Sequence, residues 1–181
     1  MAGLTLDPVF AYAAATAMGC IFLSGACAKL MDVKRFAAVL DNYALLPDTW
    51  IDPVAWLLPL FEIAAGAMLL WPATRELGSV LALALLAVVS AAAAVNVARG
   101  RTGFECGCGG DELPLASGLL LRNAALAILL LAAAQRTAAR PVVWVDIVTT
   151  VMAALFLLGL FKVANLLIGQ TEKLERLGKT P

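Results

Sequence analysis

The 181-residue chain contains no histidine. That absence excludes histidine-ligated haem, mixed cysteine–histidine zinc sites and any mechanism in which an imidazole carries the proton. Charge is also scarce, at 14% of residues, and the 13 lysines and arginines balance the 13 aspartates and glutamates. With no net positive charge there is no electrostatic basis for binding nucleic acid. The four cysteines are too few and too scattered to scaffold a disulfide-rich fold. Residues Met1 to Asp7 carry no lysine or arginine, so they lack the basic region of a cleaved signal peptide. The first apolar run is therefore expected to stay as a spanning helix. What reactivity the chain has must come from thiols, carboxylates or a bound cofactor.

Apolar side chains take the place of what is missing. They make up 62% of the sequence, with a mean hydropathy of +0.92, whereas soluble domains are about half apolar and about a quarter charged. The expectation is an all-α integral membrane protein in a lipid bilayer, one domain over 1–181. Crossing a bilayer takes about 20 apolar residues in a helix. Five segments meet that length: 8–30, 53–72, 76–98, 116–135 and 142–168. The first four form a core bundle over 8–135, the fifth is an added span, and 169–181 is a polar tail.

The first span carries Gly19, Cys20, Ser24, Gly25, Ala26, Cys27 and Ala28, a small-residue stripe suited to close helix contact. Cys20 and Cys27 share a face but lie about 10 Å apart along it, too far for a disulfide within an intact helix. Both read first as small packing residues, with Cys27, nearer the surface, the candidate exception. Residues 31–52 connect the first two spans. Val33, Phe36, Ala37, Leu40, Tyr43 and Ala44 recur there at helical spacing opposite Lys34, Arg35 and Asp41, which predicts a short amphipathic helix on the membrane surface. Pro47 ends it, and Trp50 and Trp56 suit the interfacial belt.

Glu62 lies within the second span, where a carboxylate is costly and marks a functional site by default. The structural alternative is an ion pair with Lys29 that joins the first two spans. In the fourth span Arg122 and Asn123 lie just inside, so the arginine either snorkels outward or faces a buried acceptor.

Between the third and fourth spans stands the one long glycine-rich polar interruption of the second half, Asn96 to Gly110, with Cys106-Gly107-Cys108 near its end. Cysteines one residue apart can approach closely enough to bond, and Gly107 permits the backbone that this needs. Arg99 and Arg101 would favour a thiolate, whereas Glu105, Asp111 and Glu112 oppose one. Thiol exchange needs no histidine. Three readings stay open: a redox pair, a soft-metal site such as copper(I) built on an incomplete ligand set, and an inert polar turn.

The pattern Asn96…Arg99-Gly100-Arg101…Cys106-Gly107-Cys108, then Arg122-Asn123, resembles the MauE family of methylamine utilisation proteins. So do Phe22-Leu23-Ser24-Gly25…Lys29-Leu30, Asn42-Tyr43…Leu46-Pro47 and Glu62. That family is similar to the DoxX-like membrane proteins, and its four-helix core to vitamin K epoxide reductase. The resemblance implies a thiol–disulfide oxidoreductase, with Cys106 and Cys108 as the catalytic pair, that helps mature the disulfide-rich small subunit of methylamine dehydrogenase. It implies a thioredoxin-like partner of the MauD type. A redox-capable pair at the mouth of a bundle with buried charges adds the expectation that electrons pass on to a membrane quinone, with Lys29, Tyr43, Glu62 and Arg122 as candidates to line the quinone or support the site. Asn96, Arg99, Arg101, Asn123 and Cys27 would support the site, and no metal, haem or zinc is expected. The family usually has Phe-Gly after the second cysteine, where this chain has Gly109-Gly110. It lacks the extra loop cysteines of vitamin K epoxide reductases, so the relay falls to a partner or to Cys27. The alternatives are a non-catalytic assembly scaffold and a DoxX-like quinone- or metal-binding subunit.

Two arguments about orientation conflict. Lys34, Arg35, Arg99, Arg101, Lys173, Arg176 and Lys179 share one side of a five-span chain, against Arg75, Arg136 and Arg140, and the positive-inside rule would make that side cytoplasmic. A disulfide-forming site belongs in an oxidising compartment. The expectation adopted is the bacterial inner membrane, with the cysteine loop facing the periplasm.

Overall fold

The computed structural model describes residues 7–102, 104–107, 115, 117–135, 137, 141 and 143–177, with 172–177 described by backbone alone. Its elements are all helices: α1 (Pro8–Met31), α2 (Val33–Tyr43), α3 (Asp48–Leu70), α4 (Arg75–Ala98), α5 (Ser117–Ala134) and α6 (Trp144–Leu177). All except α2 are long and apolar enough to cross a bilayer. This is an all-α multi-pass membrane fold.

Local chemistry sets the helix ends. The Asp7 carboxylate accepts from the Val9 amide and Pro8 opens the first turn of α1, a position that needs no N–H. Asp32 caps α2 in the same way through Arg35 N–H. Ala44 closes α2 in the left-handed region, at φ 48°, and its N–H returns to the Asp41 carbonyl. Helix α3 starts at Asp48, five residues before the start expected from the apolar run. Pro53 and Pro59 both lie inside it. Each proline forfeits one ladder bond without ending the helix. Helix α6 also runs past the expected boundary at 168 to Leu177, so the polar tail begins as helix.

Helix α1 is the hub. It packs against α3, α5 and α6, while α4 fits between α3 and α5. Ala14, Ala15, Met18 and Phe22 of α1 meet Ala65 and Leu69 of α3 and Leu126, Leu130 and Ala133 of α5. Small residues let the α1 and α3 backbones touch. A Cβ on Gly66 would lie 2.8 Å from Leu23 Cγ and 3.1 Å from the Gly19 carbonyl oxygen, and one on Gly19 would lie 2.9 Å from Leu70 Cδ2. Where helices have no hydrophobic drive to associate, such close packing supplies the attraction. Leu77, Val80 and Val88 of α4, and Val151, Met152, Leu155 and Phe156 of α6, are exposed, as lipid-facing surfaces must be.

The connectivity brings the end of α1, all of α2, the ends of α4 and α6 and the starts of α3 and α5 to one side of the bundle. At the opposite side Arg75 is buried and ties three helices together. Its Nη2 donates to the Gln135 carbonyl at 2.9 Å and its guanidinium lies 5.0 Å from the Tyr12 ring centre. The ring face serves the guanidinium where Nε and Nη1 have no acceptor.

Substituting Gly66 by valine should separate α1 from α3 and lower stability by about 1–3 kcal/mol. The readout is the thermal unfolding midpoint in detergent. Gly159→Ala, where nothing lies within 4 Å of the added carbon, should leave it unchanged.

Candidate active site

Near the end of α1, Lys29 points across the α1–α3 seam to Glu62. Nζ lies 2.7 Å from Oε1 and 2.6 Å from Oε2, and both residues are buried. The pair expected from the sequence is therefore formed. Each charge is tolerable in this interior because the other neutralises it. The ammonium also lies 5.6 Å from the centre of the Phe36 ring, which places α2 directly beside the pair.

Phe36 links that pair to the cysteine loop. Gly107 has φ +71°, and a Cβ there would meet Val39 Cγ1 at 3.0 Å and Phe36 Cε2 at 3.3 Å. Only glycine suits both the left-handed backbone and the space beneath α2. Helix α2 is the short amphipathic helix expected after the first span, with Lys34, Arg35 and Asp41 exposed on its polar side. Its apolar face, centred on Phe36, Val39 and Tyr43, is buried in the protein and closes over Cys106-Gly107. Those residues recur at intervals of three and four, so they share one face, and that face finds the loop.

Tyr43 fixes the loop from the other side. Its hydroxyl donates to the Cys106 carbonyl at 3.0 Å and lies 3.8 Å from Cys106 Sγ. Its ring meets Phe104 edge-on, with centroids 5.2 Å apart. The Leu115 N–H donates to the Phe104 carbonyl at 2.7 Å, and Leu115 and Leu119 are fully buried in the same cluster. Burial pushes the Tyr43 hydroxyl up to about 12, against the opposing pull of Arg122. It is thus a protonated donor throughout the physiological range. Cys106 is buried and disulfide-bonded, whereas Cys20 and Cys27 are free thiols. Cys108, with Gly109 and Gly110, lies outside the described residues.

Arg122 is buried and faces acceptors rather than snorkelling. Nε and Nη2 donate to Asn123 Oδ1 at 3.2 and 2.9 Å, and Nη1 donates to Asn165 Oδ1 at 2.9 Å. Asn123 in turn donates to Ser90 Oγ at 2.9 Å, and the guanidinium lies 5.5 Å from the Phe161 ring centre. Helices α4, α5 and α6 are thereby joined at one cation. Among the described residues no carboxylate pairs with it.

The remaining candidates hold the loop's outer parts. Asn96 is fully buried. Its side chain donates to the Ala92 carbonyl at 3.2 Å, its Oδ1 has no partner, and its backbone carbonyl accepts from Arg101 N–H at 2.9 Å. The Arg101 guanidinium donates to the Asn42 carbonyl at 3.0 Å, so this arginine joins the loop to the end of α2. Arg99 ends α4 and is exposed. Cys27 is exposed, two residues before the buried Lys29 and so on the opposite face of α1. The structure does not bring it into the group around Lys29 and Glu62.

Several contributors were not legible in the sequence. Phe36 and Val39 cover the loop, Arg35 pairs with Glu105 through contacts of 2.8 and 3.2 Å, and Ser90 and Asn165 complete the Arg122 network. A polar residue in an apolar span is the only signal that Asn165 gave. The Arg35 pairing also offsets the Glu105 charge expected to oppose a thiolate.

Glu62→Gln would strand the Lys29 ammonium in the interior. It should cost about 3–5 kcal/mol, whereas replacing both Lys29 and Glu62 by methionine should cost much less. Unfolding midpoints of the two variants in detergent check this ordering.

Comparison with known proteins places this site in context. The family model of methylamine utilisation protein MauE matches residues 7–136. The chain is 38% identical over 136 residues to methylamine utilization protein MauE of Paracoccus denitrificans, covering 74% of this chain and 73% of that protein. It is 37% identical over 166 residues to the MauE of Paracoccus versutus, covering 90% and 89%. It is 39% identical over 108 residues to that of Methylophilus methylotrophus, covering 60% and 57%. No solved structure matches the chain. An all-helical bundle that closes over Cys106-Gly107 within residues 7–136 thus has relatives along most of its length, and the chain belongs to the MauE family of methylamine utilisation proteins.

Proposed function

We propose that the chain is a membrane thiol–disulfide oxidoreductase that assists maturation of the methylamine dehydrogenase small subunit. The observation that carries the reading is the disulfide-bonded Cys106, buried at one end of a membrane bundle with a phenolic donor beside it. In the proposed reaction the Cys106–Cys108 disulfide accepts two electrons from a dithiol on a thioredoxin-like partner. The partner's new disulfide is then available for transfer to the substrate subunit. Family membership supports the methylamine setting.

A membrane quinone would supply the two-electron, two-proton sink that restores the disulfide. A quinone presents two carbonyl acceptors, and the residues at this end of the bundle fit that requirement. Tyr43 carries a hydroxyl that stays protonated and Arg122 a buried guanidinium that, among the described residues, is held by neutral oxygens. The buried Asn96 Oδ1, with no partner, would accept from a hydroxyl. Lys29 and Glu62 saturate one another and are the less available pair. The tasks of the chain's own residues are to keep water from the sulfur, through Phe36, Val39 and Leu115, and to hold a donor at Cys106, through Tyr43.

The orientation proposed is the bacterial inner membrane with the loop in the periplasm, because an oxidised cysteine pair persists there. The rival function is a scaffold that binds the partner without exchanging electrons.

Replacing Cys106 and Cys108 by serine decides between the two. An oxidoreductase should lose methylamine dehydrogenase maturation by about a hundredfold or more, since the reacting sulfur itself is gone, while a scaffold keeps it. A membrane-impermeant maleimide should label the loop cysteines of intact cells only after reduction. Labelling that requires broken cells would place the loop in the cytoplasm and overturn the orientation.

A further inference from the structure

The two sulfurs of a disulfide need not be equivalent, and here the surroundings of one of them are unequal to the task of receiving an attack. Exchange requires an incoming thiolate to reach the sulfur that it attacks, and its rate also depends on how well the other sulfur departs. Cys106 is only 4% exposed. Phe36 and Val39 close over Gly107 next to it, the Tyr43 and Phe104 rings flank it, and Leu115 and Leu119 fill the space behind. A protein thiol has no approach to Cys106 while α2 is seated.

What Cys106 does have is the environment of a leaving group. The Tyr43 hydroxyl lies 3.8 Å from Sγ. Its hydrogen now goes to the Cys106 carbonyl at 3.0 Å, and a thiolate at Sγ would compete for it, since bonds to an ionised acceptor are the stronger ones. Burial keeps that hydroxyl protonated, and the Arg122 charge is near enough to be felt at Tyr43. Among the described residues that guanidinium is matched by amide oxygens rather than by a carboxylate. A thiolate at Sγ would thus form beside a protonated hydroxyl that itself lies within the field of that cation.

We infer that Cys106 is the sulfur released in the exchange, that capture of the incoming thiol falls to Cys108, and that Tyr43 is the positioning residue for the departing thiolate. The step rests on the oxidoreductase reading above. The partner's thiolate forms a bond to Cys108, the Cys106–Cys108 bond breaks, and its electron pair leaves on Cys106. The partner's second thiolate then attacks the partner's own sulfur in the mixed disulfide and Cys108 departs. One disulfide is formed, one is reduced, and the two electrons rest on the loop cysteines with protons from the partner thiols.

Reduced glutathione serves as the test thiol. The full-length oxidised protein in lipid nanodiscs is alkylated at its free thiols, exposed briefly to glutathione, quenched with acid and trapped with a maleimide. Fragment-ion mass spectrometry then locates the adduct. Glutathione should be found on Cys108 over Cys106 by about tenfold or more. Equal amounts, or a majority on Cys106, would overturn the assignment. Tyr43→Phe keeps the ring and removes the donor. In reduced protein it should raise the pH at which Cys106 becomes alkylatable by about one unit, and an unchanged profile would remove Tyr43 from the role. Both readouts use isolated protein. If maturation survives loss of both cysteines, the proposed function falls, while the adduct still reports which sulfur leaves.

Discussion

The buried Lys29–Glu62 pair is the constraint on which the rest of the arrangement depends. It joins the hub helix α1 to α3 beyond the Gly19–Gly66 contact. Two glycines let the backbones slide close, but they would tolerate more than one register. A charge pair with contacts of 2.6 and 2.7 Å tolerates one, because a shift by a helical turn leaves both ions buried and alone. With that register set, the end of α1 is fixed. Asp32 then starts α2 immediately afterwards, and α2 has little choice about where it lies.

That sequence of dependence connects the interior to the loop. Phe36 touches the ion pair on one side and the Gly107 position on the other. Tyr43, two turns along, reaches Cys106, and Arg101 returns to the Asn42 carbonyl. The exposed Arg35–Glu105 pair adds a third tie, of the kind that contributes little alone but fixes direction. The cysteine loop is thus held mainly by a helix distant in sequence, and only secondarily by its own flanks.

How much of this the sequence disclosed follows from the range of each signal. Five spans, the amphipathic helix and the Lys29–Glu62 pair were legible, because hydropathy and intramembrane charge are strong and local statements. The start of α3 was misplaced because the apolar run marks only the membrane-crossing part, whereas the helix begins earlier, at Asp48, in a polar first turn. The amphipathic helix was legible along the chain, whereas what its apolar face covers was not. Periodicity identifies an apolar face but does not say whether lipid or protein covers it. Asn165 was unreadable for a similar reason, since a lone amide in a span does not name its partner across 43 residues.

Asn165 alters the status of the last helix. The family match ends at residue 136, before α6 begins, and by that measure the fifth span looks like an appendage. Yet one of the oxygens around the buried Arg122 comes from it, and α6 otherwise rests on the hub helix α1. A guanidinium in an apolar interior must have its donors met. The last span therefore completes the solvation shell of a charge belonging to the core, and the bundle that holds this charge extends beyond the residues matched by the family model.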